Sequence, residues 1–181
     1  MITLAGLVAI PSATAREAAP AADPPFVEIV NQWTGLHADV MWASPNPGTG
    51  VFLWPDNASW SQEFERLDSG NGFFRLKARH SGLCLAVLGG SPANGVPIVQ
   101  DPYCDRGGSS NEWYTQEIRP PQGPCMCFPI TYMIIRNRLS GRCMEVNSPS
   151  GQPGEQSVLQ VWNCITSGTE WNRANQVWRW W

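Results

Sequence analysis

Apolar and polar residues alternate in short bursts along this chain, and the bursts recur three times in the same order. Val27 and Ile29, Phe74 and Leu76, and Met133 and Ile135 stand two apart, the period of a half-buried β-strand. Each pair leads into a phrase that opens on glycine and closes on valine: Gly35 to Val40, Gly82 to Val87 and Gly141 to Val146. A second anchor ends each copy, as Gln62-Glu63-Phe64, Asn111-Glu112-Trp113 and Gln176-Val177-Trp178. No window sustains a helical period, so the pattern predicts an all-β chain. A unit of roughly fifty residues copied three times cannot bury its apolar face alone, so the copies are expected to share one core.

Composition agrees. The chain has 181 residues, room for one domain, with 17 glycines and 16 prolines against 15% charged residues, which suits short strands and tight turns. A net charge of -3 lacks the cationic excess that phosphate backbones demand, so nucleic acid is excluded as a partner. Ile2 to Ile10 form an apolar run broken by Pro11 and followed by Ala13-Thr14-Ala15, the small-x-small pattern of a cleaved export signal. Residues 1–15 are read as a signal peptide, with a disordered apolar tail as the alternative. No Lys or Arg precedes the run, so this reading carries the expectation that the usual basic residues stand upstream of this start. The run is too short to span a bilayer, so no membrane insertion is expected. Residues 16–25, rich in Ala and Pro, form a flexible leader to a domain at 26–181, with copies at 26–72, 73–118 and 131–181 and a Pro- and Cys-rich insert at 119–130.

Cysteine spacing supports export. Cys84 and Cys104 in the second copy, and Cys143 and Cys164 in the third, lie at corresponding places, which predicts one disulfide inside each. The first copy has His37 and Asp56 instead, and one imidazole with one carboxylate falls short of a metal set. No metal or other cofactor is expected. Cys125 and Cys127 are left over in the insert: a local or mutual disulfide, free thiols and an intermolecular bridge all stay open.

The glycine-to-valine phrases, the cysteine strands and the terminal Gln-x-Trp anchors together resemble the ricin B-type lectin family, from about Val27 to Trp181. Gln176-Val177-Trp178 matches the Gln-x-Trp signature outright; Gln62-Glu63-Phe64 and Asn111-Glu112-Trp113 match with one change each. The resemblance implies a β-trefoil of three pseudo-symmetric repeats, with twelve strands in a six-stranded barrel capped by three hairpins. Phe64, Trp113 and Trp178 are then expected in the common core.

It also implies where a sugar would bind. A pyranose offers neighbouring hydroxyls and one apolar face, which a carboxylate, side-chain amides and an aromatic platform can meet. In the third copy the resemblance assigns these roles to Glu145, Gln160, Trp162, Asn175 and Gln176. In the first it assigns them to Asp39, Trp54, Ser61 and Gln62, with Phe52 in place of an amide. The second copy is expected to be silent, with Ala86 for the acid and Pro102 at the aromatic position, although Gln100, Asp101, Tyr103 and Asp105 stand nearby.

The implied function is a secreted, monomeric carbohydrate-binding lectin module, recognising sugar units of a polysaccharide or surface glycan through shallow sites in the first and third repeats. The alternative is a non-catalytic protein-binding trefoil, like a toxin binding subunit or a protease inhibitor, for which Trp33, Trp42, Trp54, Trp60 and Trp171 would supply a partner surface. No enzyme is expected. Glu63, Glu65 and Asp68 read as a solvated strand face, and His80 and Ser81, being adjacent, point apart. Asn57-Ala58-Ser59 is a glycosylation acceptor in a eukaryotic secretory route.

Overall fold

The computed structural model describes residues 26–104, 108–118, 132–148, 152–165 and 175–181. These contain thirteen strands in one continuous sheet and three single-turn 3-10 helices. β1 (Phe26–Val27) and β2 (Ile29–Asn31) are one strand interrupted at Glu28, whose N–H and C=O still pair with Trp181 at 3.0 Å each. β1 pairs with β5 (Phe64–Gly70), β5 with β6 (Phe73–Ala78), and β6 with β9 (Trp113–Ile118). β9 then pairs with β10 (Tyr132–Asn137), β10 with β13 (Trp178–Trp180), and β13 returns to β2, closing the ring. Every pairing is antiparallel. The other strands form three hairpins: β3 (His37–Val40) with β4 (Val51–Trp54), β7 (Cys84–Val87) with β8 (Val96–Asp101), and β11 (Cys143–Val146) with β12 (Leu159–Trp162). Counting the interrupted strand once, this is a six-stranded barrel capped by three hairpins, the expected β-trefoil.

The threefold repeat is visible in single hydrogen bonds. Phe64, Trp113 and Trp178 pair with Val27, Phe74 and Met133 of their own repeats. The same three rings also pair with Ala78, Asn137 and Asn31 of the following repeats. Each aromatic therefore stitches two repeats together, which is why the anchor recurs. Just after those partners, the N–H groups of Gly35, Gly82 and Gly141 bond to the carbonyls of Asn31, Ala78 and Asn137 at 2.8–2.9 Å, with φ of +71°, +71° and +64°. This left-handed turn is cheap only for glycine, which explains the first letter of each repeated phrase. All three anchor rings are fully buried, together with Ile29, Leu76 and Ile135, in one core that draws on every repeat.

Both expected disulfides are present, Cys84–Cys104 and Cys143–Cys164. Register explains what stands in for them in the first repeat: His37 faces Trp54 across its hairpin as Cys143 faces Trp162, and Asp56 lies two beyond Trp54 as Cys164 lies two beyond Trp162. Replacing both (H37C with D56C) is expected to close a third bridge, visible by mass spectrometry without reductant, and to add up to about 3 kcal/mol for a loop of this size. A double variant that keeps two free thiols would disprove the equivalence. The residues read as an export signal and leader (1–25), the insert with Cys125 and Cys127, Asp105 and Trp171 lie outside the described residues.

Candidate functional site

Cross-strand pairing places the acids. Asp39 of β3 faces Phe52 of β4, and Glu145 of β11 faces Gln160 of β12; Trp54 and Trp162, two residues further along, share those faces. The backbone closes each site in the same way, with the carbonyls of Ser61 and Asn175 accepting from the N–H groups of Val40 (3.1 Å) and Val146 (2.8 Å). Gln62 and Gln176 are also equivalent. Each is fully buried and clasps the segment after the hairpin, Gln62 through Pro55 O (2.9 Å) and Asn57 N (3.1 Å), Gln176 through Asn163 O and Ile165 N (2.9 Å each).

In the third repeat the carboxylate is fixed from both sides. Gln160 Nε2 donates to one oxygen of Glu145 at 3.0 Å and Gln176 Nε2 to the other at 2.5 Å. Each oxygen keeps a second lone pair. Trp162 is 41% exposed beside it and rests against Gly95 of the second repeat. Asn175 is half-buried, and its structural role is the carbonyl bond to Val146.

The first repeat is more aromatic. Phe52 and Trp54 are stacked with centroids 5.4 Å apart, and Trp42 closes the cluster at 5.5 Å from Phe52 and 6.1 Å from Trp54. Trp42 is absent from the set read off the sequence. It is 74% exposed and has φ of +58°, in the turn where the second repeat has Gly89 at +61°. A tryptophan held left-handed costs on the order of 1–3 kcal/mol, and such strain gathers at functional sites. The sequence signal was a bulky residue in a slot filled by glycine one repeat later.

Neither acid is a solvated turn residue. Asp39 is 4% exposed and Glu145 6%, so each forms a floor beside an exposed indole rather than an open rim. Burial pushes both pKa values up from the ordinary carboxylate range. Hydrogen bonding from Ser61, Gln62 and Asn57 and the nearby His80 oppose the shift at Asp39; Gln176 and Gln160 oppose it at Glu145.

The second repeat differs from the alignment made on its cysteines. Cys84 faces Asp101 and Ala86 faces Val99, so Asp101, not Pro102, occupies the aromatic position, and Val99, not Gln100, sits opposite the missing acid. Gln100 is instead a buried bracket between repeats. Its amide accepts from Ser81 and donates to Ser44 O (2.8 Å) and Asn46 O (3.2 Å). His80 bonds to Ser44 O, so it and Ser81 turn to different partners. Glu63 pairs with Arg79 and Glu65 with Lys77, which makes that acidic face a ladder of ion pairs. Trp60 lies on Arg79, 4.4 Å from guanidinium to ring. Among the described residues no helix is long and apolar enough to cross a membrane.

Residues 18–101 match the family model of the ricin-type beta-trefoil lectin domain-like proteins. No curated protein matches the chain significantly in sequence. Among solved structures, a designed threefold-symmetric protein, ThreeFoil, superposes with a TM-score of 0.68 at 24% identity, covering 86% of this chain and 96% of its own. An exo-beta-1,3-galactanase from Clostridium thermocellum gives 0.69 at 26% identity, covering 87% of this chain but only 30% of the enzyme. A ricin B-like lectin from Macrolepiota procera, solved in complex with lactose, gives 0.62 at 17% identity over 90% and 98%. The resemblance read from the three repeats is borne out: this is a β-trefoil protein whose residues 18–101 carry the ricin-type lectin-like family pattern.

Proposed function

We propose that this protein is a secreted, monomeric carbohydrate-binding module that holds sugar units of a polysaccharide or surface glycan in its first and third repeats and transforms nothing. The observation that carries this reading is the first-repeat constellation: a nearly enclosed Asp39 carboxylate flanked by Ser61 and Gln62, beside an aromatic cluster that leaves Trp42 74% exposed. A carboxylate accepts from two neighbouring hydroxyls while a ring covers the apolar face of the pyranose, and neither group needs to react. The third repeat offers Glu145, Gln160, Gln176 and Trp162 in the same places, with Asn175 beside them. The second has Ala86 in place of the acid. A shallow single site manages roughly millimolar affinity, near -4 kcal/mol, so two sites on one rigid body favour a repeating surface ligand over a free sugar. Two disulfides fit an oxidising compartment outside the cell.

A glycan array followed by pull-down on the polysaccharides it selects tests the proposal, with Trp42→Gly as the informative variant. Retention is expected to fall about tenfold, equivalent to 1.4 kcal/mol. The melting temperature should hold or rise, because glycine relieves the left-handed strain. Retention unaffected by Trp42→Gly would remove the first-repeat site. Capture of a cell-surface protein that no sugar competes away would favour the partner-protein alternative; of the tryptophans it would use, Trp42 and Trp54 already belong to the cluster beside Asp39 and Trp60 to Arg79.

A further inference from the structure

His37 and Asp56 occupy the place of a disulfide, and the fold brings a third group to them. The ligand atoms of Glu28, His37 and Asp56 all lie within 4.8 Å of one another. We propose that these residues form a divalent transition-metal site of the zinc type, which staples the first repeat as cystine staples the other two.

Three observations support it. Glu28 stands one residue after Val27, so its counterparts in the register are Arg75 and Ile134; an acid occurs there only in the repeat without cysteines. His37 Nδ1 is buried, its side chain 7% exposed, and makes an ion-pair contact of 2.5 Å with Glu28 Oε2 that lacks the alignment of a hydrogen bond; among the described residues neither atom has a hydrogen-bond partner. At this distance the two atoms form an ion pair when the imidazole is protonated, and a cation between them would take the place of that shared proton. Asp56 is exposed and commits Oδ1 to the Ala58 N–H at 3.0 Å, which fixes the side chain and leaves its second oxygen to a metal.

Chemistry selects the ion. One imidazole and two carboxylates suit zinc and its neighbours, whereas calcium takes six to eight oxygens. With bonds of about 2.0–2.1 Å, tetrahedral ligands sit about 3.3 Å apart. The Glu28 and His37 atoms must then separate slightly, while Asp56 closes in by at most about 1.5 Å, within reach of side-chain rotation. The exposed side at Asp56 admits water as the fourth ligand.

The test uses the full, disulfide-intact chain, stripped with EDTA and dialysed. Zinc chloride is expected to bind one ion per chain by calorimetry and, at a hundredfold excess over its Kd, to raise the melting temperature by about 5–10 °C. Calcium chloride should leave it unchanged, and cobalt(II) should give the visible absorption of a four-coordinate site. Asp56→Asn, at an exposed position where folding is not at risk, should abolish both the shift and the spectrum; His80→Ala should retain both. Absence of a shift at millimolar zinc, or a shift that survives in both Asp56→Asn and His37→Ala, would overturn the proposal. Sugar binding is not required for any of these readouts.

Discussion

Trp178→Ala is expected to leave the domain unfolded or nearly so at room temperature. Truncating a fully buried tryptophan costs about 3–5 kcal/mol through lost burial and the cavity left behind. Trp178 Nε1 also donates to Met144 O at 3.1 Å, and stranding that carbonyl adds about 1–3 kcal/mol. Against a usual total of about 5–15 kcal/mol, the sum removes most of the stability. The position is doubly committed, because the same ring joins β10 of its own repeat to β2 of the first. Trp178→Phe separates the contributions. Phe64 already serves as a fully buried phenylalanine at the equivalent position in the first repeat, so the smaller ring is tolerated by this geometry. Its cost should stay below half that of the alanine variant. Urea unfolding with the disulfides intact measures both, and an alanine variant weakened by less than 1 kcal/mol would mean that the ring is not a keystone.

Positions fixed by backbone geometry were the most legible in the sequence. The left-handed turn after each first barrel strand admits glycine at little cost, and the aromatic between two repeats admits only a large ring, so both leave letters at fixed intervals. The second hairpin misled the alignment for a physical reason. A disulfide fixes two side chains, whereas strand register is set by the hydrogen bonds between them. Cys84 faces Asp101, three residues before Cys104, while Cys143 faces Trp162, only two before Cys164. Counting back from the cysteine therefore assigned Gln100 to the face of the missing acid, whereas the register turns it to the other face, where it braces Ser44 and Asn46 of the first repeat.

The candidate faces were legible in residue type and less so in depth. Asp39 shares a face with Trp54, and Glu145 with Gln160 and Trp162, as the resemblance implied, because Asp39 faces Phe52 and Glu145 faces Gln160 across their hairpins and residues two apart on a strand point the same way. Their enclosure depends on how the segment after each hairpin folds back, which Gln62 and Gln176 control through bonds to Pro55, Asn57, Asn163 and Ile165. No local pattern announces that. Trp42 and Glu28 were hidden for the same reason. One depends on an unfavourable backbone conformation, the other on the return of a strand nine residues away.

Asp39→Asn combined with Glu145→Gln is expected to abolish polysaccharide retention while making the protein more stable at neutral pH. The two effects have one cause. Burial raises both carboxyl pKa values, so holding the charge at neutral pH works against folding. For an acid whose pKa is higher folded than unfolded, the stabilisation is complete below the unfolded value and is lost as pH rises through the folded one. The wild-type melting temperature should therefore gain from these two groups on moving from neutral to mildly acidic pH. The neutral isosteres should flatten that part of the profile by carrying the gain at neutral pH. Binding runs the opposite way, since charge-assisted acceptance from sugar hydroxyls requires the ionised form. Retention should fade with acidification at a pH above the range where an ordinary aspartate or glutamate protonates. Paired thermal melts and pull-downs across pH, on the wild type and the double isostere, check both slopes. Retention that persists in the double isostere would show that sugar is held elsewhere, and a melting temperature lowered at neutral pH would show that the hydrogen bonds the two carboxylates accept outweigh the cost of burying their charge.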